Sequence, residues 1–438
     1  MKRLAGLAKS FASGRTSLGA VLQTGTSNVL IQAAYVISGV ITARSLGPSG
    51  RGALAAIIMW PQFLGYLLSL GIPTSSVYHV RREPQHGSTL TAAAIIISIA
   101  MGCIAVVAGF FIIPYSLHTY PPSVIHFARL MICTAPLALL GVNLSALAQS
   151  AGAFRRYNFY RLAQPAAVSL VLFLIWRLHG LTYTSAAAIY LFAGVPVTLW
   201  NGIWVWSYFK PSFKGGLKPV RALVGYGVRV WGADLLGTVA NQVDRILVVS
   251  TLPPHDMGLY VVAQSVAGLM NVFPAAINSV LMPRAAGHSI ADIVNLTGRA
   301  LRITFAILFL AGTSLFFSGG FLLNLVYGNK FDGAFIVLKI LLAEAVLDGL
   351  TSVSSQAFLA AGFPGVVTLL QGCGLVTAVP LLYWMVPRWG LKGAAFALLI
   401  STSFRLSFVL ISFPLRLKHA PPGILLRPSD IKALKLPK

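Results

Sequence analysis

Runs of about twenty or more apolar residues recur along the whole chain, and no other feature limits its fold so strongly. At a rise of 1.5 Å per residue, about 20 such residues span the ~30 Å hydrocarbon core of a bilayer as a helix. Twelve such runs can be placed. The first six are Leu18–Thr42, Ala53–His79, Leu90–Pro114, Val124–Ser150, Tyr160–Leu178 and Ser185–Phe209. The next six are Val220–Ser250, Leu259–Met282, Leu301–Tyr327, Phe335–Ala360, Gly365–Val386 and Ala394–Leu415. Only 10% of the residues are charged and 57% are hydrophobic, whereas soluble domains carry about 25% charged residues. A polytopic membrane protein is expected.

The formal net charge is +24. Its basic residues are spread over short loops instead of being gathered in one basic domain, which argues against a nucleic acid partner. Topology accounts for them. With the N-terminus inside, 22 of the 33 Lys and Arg residues fall in cytoplasmic segments, including Arg81, Arg82, Arg155, Arg156, Arg161, Lys210, Lys214, Lys218, Arg221 and six from Arg416 to Lys438. Seven fall on the other side: Arg44, Arg51, Arg177, Lys330, Lys339, Arg388 and Lys392. The positive-inside rule therefore puts both termini in the cytoplasm. The first 17 residues read as a short interfacial helix without a cleavage site, and the basic tail after Leu415 reads as a segment touching anionic lipid. Cys103, Cys133 and Cys373 lie within spans and read as buried small hydrophobes.

An internal repeat divides the chain. "LGPSGRG" at 46–52 matches "LPPHDMG" at 252–258 with an offset of 206. "SAGAF" at 150–154 matches "AAGFP" at 360–364, and Gly180-Leu181 matches Gly390-Leu391, both offset by 210. Six spans per half give both halves the same orientation, related by an axis along the membrane normal. The expected fold is thus all-α, with about 12 transmembrane helices in two six-helix lobes around a central cavity. Residues 1–209 and 222–416 would form the lobes, 210–221 a cytoplasmic linker and 417–438 the basic cytoplasmic tail.

The seventh run is not uniformly apolar. Arg229, Asp234, Asn241, Asp244 and Arg245 fall within an arc of roughly 160° at about 100° per residue. A central charge costs about 2.5–3.5 kcal/mol against about 0.3–0.6 gained per aliphatic residue, so this face must meet water or polar partners. Glu344 and Asp348 share a face of the tenth span, and Arg405 lies in the twelfth. Arg229, Arg245 and Arg405 nearly balance Asp234, Asp244, Glu344 and Asp348, which suits a structural network first and, alongside it, contact with a substrate or coupling ion. Arg129 has no acidic span neighbour in its own lobe; it either snorkels outward or faces the cavity. Trp60, Tyr66, Tyr78, Trp200, Trp204 and Trp231 could stack on sugar rings or anchor and pack the helices. Pro61, Pro73, Pro136, Pro165, Pro196, Pro274 and Pro380 permit kinks.

"ITARSLGPSGRGALAAI", "LGIPTSS" and "NQVDRILVVSTLPPHDMGLYVVAQSV" with "INSVLMPRAA" resemble the polysaccharide transporter, or O-antigen flippase-like, family of the multidrug/oligosaccharidyl-lipid/polysaccharide exporter superfamily. The resemblance implies a multi-pass protein of a bacterial or archaeal cytoplasmic (inner) membrane. Its implied work is to flip a polyprenyl-diphosphate-linked oligosaccharide by alternating access during polysaccharide biosynthesis, with a polysaccharide polymerase and glycosyltransferases as further partners. Drug antiporters of the superfamily typically carry a carboxylate in the first helix, and no acidic residue occurs in the first six spans here. Lipid II flippases usually have fourteen spans. Both remain alternatives, as do a membrane-bound polymerase and an assembly scaffold, although no loop offers a catalytic domain.

No Walker loop or metal-ligand spacing is present, so no cofactor, metal or catalytic residue is expected. A diphosphate suits arginine forks. Arg129, Arg44 and Arg51 in the first lobe, with Arg229 and Arg405 in the second, are the candidate substrate ligands. Asp234, Asn241, Asp244, Arg245, Glu344 and Asp348 are the candidate coupling or structural charges. Reporter fusions at Lys214 and at the C-terminus should both report the cytoplasmic side; signals from opposite sides would refute the twelve-span topology.

Overall fold

The computed structural model describes residues 17–178, 180–285 and 287–425, and their side chains except those of 17–26, 28, 154, 233–245, 279 and 282–284. The expected interfacial helix and most of the basic tail therefore lie outside the described residues. The described residues are mostly helical, and no strand occurs among them. Seven of the helices are long and apolar enough to cross a membrane, or eight if the bent pair Pro122–Ile132 and Ala135–Ser150 is one span.

The first unit contains α1 (Ser17–Leu67), α2 (Ile72–Arg82), α3 (Gly87–Ser116), α4 (Pro122–Ile132), α5 (Ala135–Ser150), α6 (Phe154–Leu178), α7 (Tyr183–Phe192) and α8 (Val195–Phe209). Then come α9 (Lys218–Thr251), α10 (Pro254–Ala267), α11 (Val272–Ala285), α12 (Ile290–Tyr327), α13 (Ala334–Ala360) and α14 (Pro364–Ser412), which ends in a π-helical turn at Phe413–Leu417. Within α1 the backbone leaves helical geometry at Gly47 (φ 67°, ψ −177°), and within α14 at Gly390 (φ 52°, ψ −131°). Each is two rods joined by one residue in a conformation that only glycine adopts cheaply. Dividing both helices there, and joining across four breaks the second rod of α1 to α2, α4 to α5, α7 to α8 and α10 to α11, gives twelve rods over the runs read from the sequence.

Those four breaks have a covalent cause. Pro73, Pro136 and Pro196 each occupy the first turn of the helix that follows a break, where a missing N–H is tolerated. Pro274 follows the 3-10 turn Gly268–Asn271 in the same way. The fourth crossing, expected as one run, bends by 44° at residues 133 and 134. Pro61, Pro165 and Pro380 instead sit inside helices.

The chain forms two compact units, 1–235 and 236–438, with the division inside α9. The early turns of α9 belong to the first unit. Ser75 Oγ donates to the Leu223 carbonyl at 2.8 Å, and a Cβ on Gly227 would lie 2.6 Å from the Leu70 carbonyl oxygen. A buried cluster that includes Ile72, Leu90, Leu147, Val205 and Leu223 holds this end of the unit together. In the second unit Phe358, Leu370, Val409 and Phe413 form a core of the same kind.

The repeat extends well beyond the quoted motifs. Gly152 and Gly362 both end a helix at positive φ, 75° and 80°. Gly152 donates to Gln149 at 3.0 Å and Ala153 to Ala148 at 3.1 Å; Gly362 donates to Leu359 at 3.2 Å and Phe363 to Phe358 at 2.8 Å. Burial follows the same offset of 210. Val124, Ala128, Met131, Ile132 and Ala135 are buried in one unit, and Ala334, Leu338, Leu341, Leu342 and Ala345 in the other. Matching positions are buried in both units although the sequences have diverged and one of the two helices is broken.

One expectation is corrected. Cys103 and Cys133 are exposed on the protein's outer surface and Cys373 is only partly buried. A helix apolar on all sides gives no periodic signal for which face turns inward, so span membership did not imply burial within the protein.

Small residues allow close helix contact where no hydrophobic drive separates protein from lipid. A Cβ on Gly102 of α3 would lie 2.7 Å from the backbone nitrogen of Pro136 on α5, whereas one on Gly65 would meet nothing within 4 Å. Gly102→Ala should therefore destabilise by about 1–3 kcal/mol, the usual range for overpacking, and lower the thermal midpoint in detergent. Gly65→Ala should leave it near wild type, and equal midpoints would contradict the packing of α3 on α5.

Candidate functional site

A polar cavity of about 330 Å³ lies inside the second unit. Gln264 of α10 and Asn271 of the following 3-10 turn line one side; Glu344 and Asp348 of α13 project from successive turns of one face. The first half of α14 supplies Gln371 and Gly374, and its second half Ser401, Thr402 and Arg405. The helical spacing of 344/348 and 401/405 aims these groups at one volume.

Arg405 Nη1 lies 3.4 Å from Asp348 Oδ1, with the two side chains 17% and 32% exposed. Thr402 Oγ1 donates to Glu344 Oε1 at 2.9 Å. Ser401 Oγ donates to the Gly374 carbonyl at 3.0 Å, which ties the two halves of α14 together. Gly374 is needed for clearance, since a Cβ there would lie 2.6 Å from Arg405 Cδ. Arg405 Nε and Gln371 Oε1 are buried with no hydrogen-bond partner among the described residues. The cavity's described lining thus gathers two carboxylates and one guanidinium, with a donor and an acceptor left unused. It can hold a cation, a proton or a small polar group.

A larger cavity of about 730 Å³ lies inside the first unit, between α1, α2, α5 and α6. Tyr35, Tyr78, Gln149, Tyr157, Tyr160, Arg161 and Gln164 are among its lining residues. Among the described residues, Arg161 is its one charged lining residue. Tyr160 is buried, with its hydroxyl 3.2 Å from Thr198 Oγ1. The ring of Tyr78 stacks on Tyr226 at 4.3 Å and 7°, and its hydroxyl accepts from Arg82.

Of the sequence candidates, Arg405, Asp348 and Glu344 come together. Asp234, Asn241, Asp244 and Arg245 have side chains outside the described residues. Arg229 is exposed on the part of α9 that belongs to the first unit. Arg44 is exposed and Arg51 partly buried, flanking the break at Gly47, and Arg51 Nε has no hydrogen-bond partner among the described residues. Arg129 is partly buried, with its guanidinium 4.7 Å over the ring of Phe110, and it lines neither cavity. Trp200 and Trp204 hold Arg156 at 4.0 and 4.7 Å. Trp60 is buried and Tyr66 exposed.

Sequence reading counted Arg161 among loop bases; the structure sets it two turns inside α6. A signal existed, because Tyr157, Tyr160, Arg161 and Gln164 follow the i, i+3, i+4, i+7 spacing of one helix face. Gln264, Asn271 and Gln371 were missed because lone amides in apolar runs carry no charge signal.

The sequence profile of the family described as "Polysaccharide biosynthesis protein" matches residues 19–287. A candidate O-antigen transporter of Shigella flexneri is 24% identical over 366 residues, which is 81% of this chain and 87% of that protein. The lipid II flippase MurJ in an inward closed conformation is similar with a TM-score of 0.76 at 14% identity, over 91% of this chain and 88% of that one. An inward-facing multidrug resistance MATE family transporter of the MOP superfamily is similar with a TM-score of 0.74 at 15% identity, over 88% and 94%. These two structures establish the fold, an all-α architecture.

Removing one partner of a desolvated ion pair strands the other. Asp348→Ala and Arg405→Ala should each lower the thermal midpoint in detergent. In the double variant the losses should fall short of additivity by about 0.5–3 kcal/mol, the range for groups in contact. Strictly additive losses would show that the two side chains do not interact.

Proposed function

The chain belongs to the polysaccharide biosynthesis protein family, and on that premise we propose that it is a flippase for polyprenyl-diphosphate-linked oligosaccharide, working by alternating access and not as an enzyme. The observation that carries this reading is the membrane-embedded cavity in which Glu344, Asp348 and Arg405 meet. Charges are retained at that depth at considerable energetic cost, and such residues mark ion and substrate pathways. The similarity to a candidate O-antigen transporter over most of the chain favours a glycan cargo. Likeness to the MurJ and MATE structures concerns the fold alone and does not select lipid II or drugs.

In this reading residues 1–209 and 222–416 act as the two lobes, joined by the linker 210–221 and followed by the basic tail 417–438. The protein sits in the cytoplasmic membrane with both termini inside, and its cargo is made and used by glycosyltransferases and a polymerase. The second-lobe charges serve coupling. Arg405 pairs with Asp348, and a proton or cation arriving at the carboxylates would loosen that pair. Positive charge for the diphosphate comes from Arg129, Arg44, Arg51 and Arg229, and from Arg405 once released.

The test is accumulation of lipid-linked oligosaccharide in the cytoplasmic leaflet, at matched protein levels. Asp348→Asn and Arg405→Ala should each slow export at least tenfold, which corresponds to about 1.4 kcal/mol in the rate-limiting step. Arg129→Lys should be milder than Arg129→Ala, because it retains charge and loses the fork. Wild-type export by Arg405→Ala and Arg129→Ala, singly and combined, would remove both residues from the pathway.

A further inference from the structure

We propose that the tyrosine-lined cavity of the first unit binds the diphosphate and adjoining sugar of the lipid-linked glycan, with Arg161 as the phosphate ligand and Tyr35, Tyr78 and Tyr157 as ring surfaces and hydroxyl donors. This rests on the flippase reading and names the recognition site within it.

Charge is the first reason. Arg161 lies two turns inside α6, and its guanidinium makes no ion pair or hydrogen bond among the described residues; its ring contact is Tyr157, 5.4 Å away. Glu83 is the one carboxylate among the described side chains of that unit, and it lies 3.2 Å from His86. A guanidinium that lines a cavity is open to an anion there, and the described residues supply none beside it. A phosphate ester fits the planar fork through paired charge-assisted hydrogen bonds.

Shape is the second. The volume of about 730 Å³ lies within the ~300–1,000 Å³ of small-ligand sites. Aromatic rings with polar tips give flat apolar faces beside donors, which suits a sugar. The Tyr78 ring is held by stacking on Tyr226, so one such surface is preorganised. Gln149 and Gln164 add amides at the rim.

Position is the third. Arg161 stands near the start of α6, close to the loop 151–153 expected in the cytoplasm, the side from which the cargo arrives.

The test uses the full chain purified in nanodiscs, with a polyprenyl-diphosphate-linked disaccharide and sugar-free polyprenyl diphosphate as probes and phosphatidylglycerol as competitor. Wild type should bind both probes. Arg161→Ala should weaken both at least tenfold, Arg161→Lys by less, and Tyr157→Ala should weaken the disaccharide probe more than the sugar-free one. Thermal midpoints check folding, and Arg161→Lys stands in where Arg161→Ala is not monodisperse. Undiminished binding by the Arg161 and Tyr157 variants overturns the site and leaves the flippase reading intact. No binding by wild type overturns both. Equal displacement by phosphatidylglycerol would make the cavity a general lipid-phosphate site and overturn the assignment.

Discussion

Hydrocarbon offers no hydrogen bonds, and the architecture follows from that one constraint. Each apolar run satisfies its own backbone as a helix, and departures occur where proline or glycine forces them. Side-chain hydroxyls obey the same rule by bonding carbonyls a turn earlier, as Thr42 does to Ser38 at 2.8 Å and Ser355 to Thr351 at 2.7 Å. Between helices the polar links are few and short: Asn143 donates to Ser98 at 2.6 Å, and Asn278 to Ser352 at 2.8 Å.

The same constraint makes the intramembrane charges informative. In the second unit two carboxylates and an arginine meet inside a small polar cavity. In the first unit an arginine lies among tyrosines without a carboxylate beside it among the described residues. Two units built on one repeat thus carry cavities of different chemistry.

Divergence within the repeat accounts for part of that difference. At the offset of 210, Glu344 corresponds to Thr134 and Asp348 to Ala138. Where the first unit breaks its helix at Thr134, the second runs unbroken through Glu344. Arg161 in turn corresponds to Gln371, so each cavity received its charge at a position that is uncharged in the other. The buried face over 124–135 and 334–345 is retained all the same, because packing tolerates exchange among apolar residues of similar volume.

Run length alone specified the helices, since each must reach across the bilayer, and the glycines and the three glycine- and proline-marked motifs revealed the repeat. Glu344, Asp348 and Arg405 stood out because a charge in an apolar run is conspicuous without any structure. Their pairing was not legible: 348 and 405 are far apart in sequence, and only the packing of α13 against α14 sets them 3.4 Å apart. Arg161 was hidden for a related reason. Near a span end it is indistinguishable from a topology-setting loop base, and its isolation among tyrosines arises from four helices meeting. The outward-facing cysteines follow the same logic, for a helix apolar on every side can turn any face to lipid, and neighbouring helices choose which.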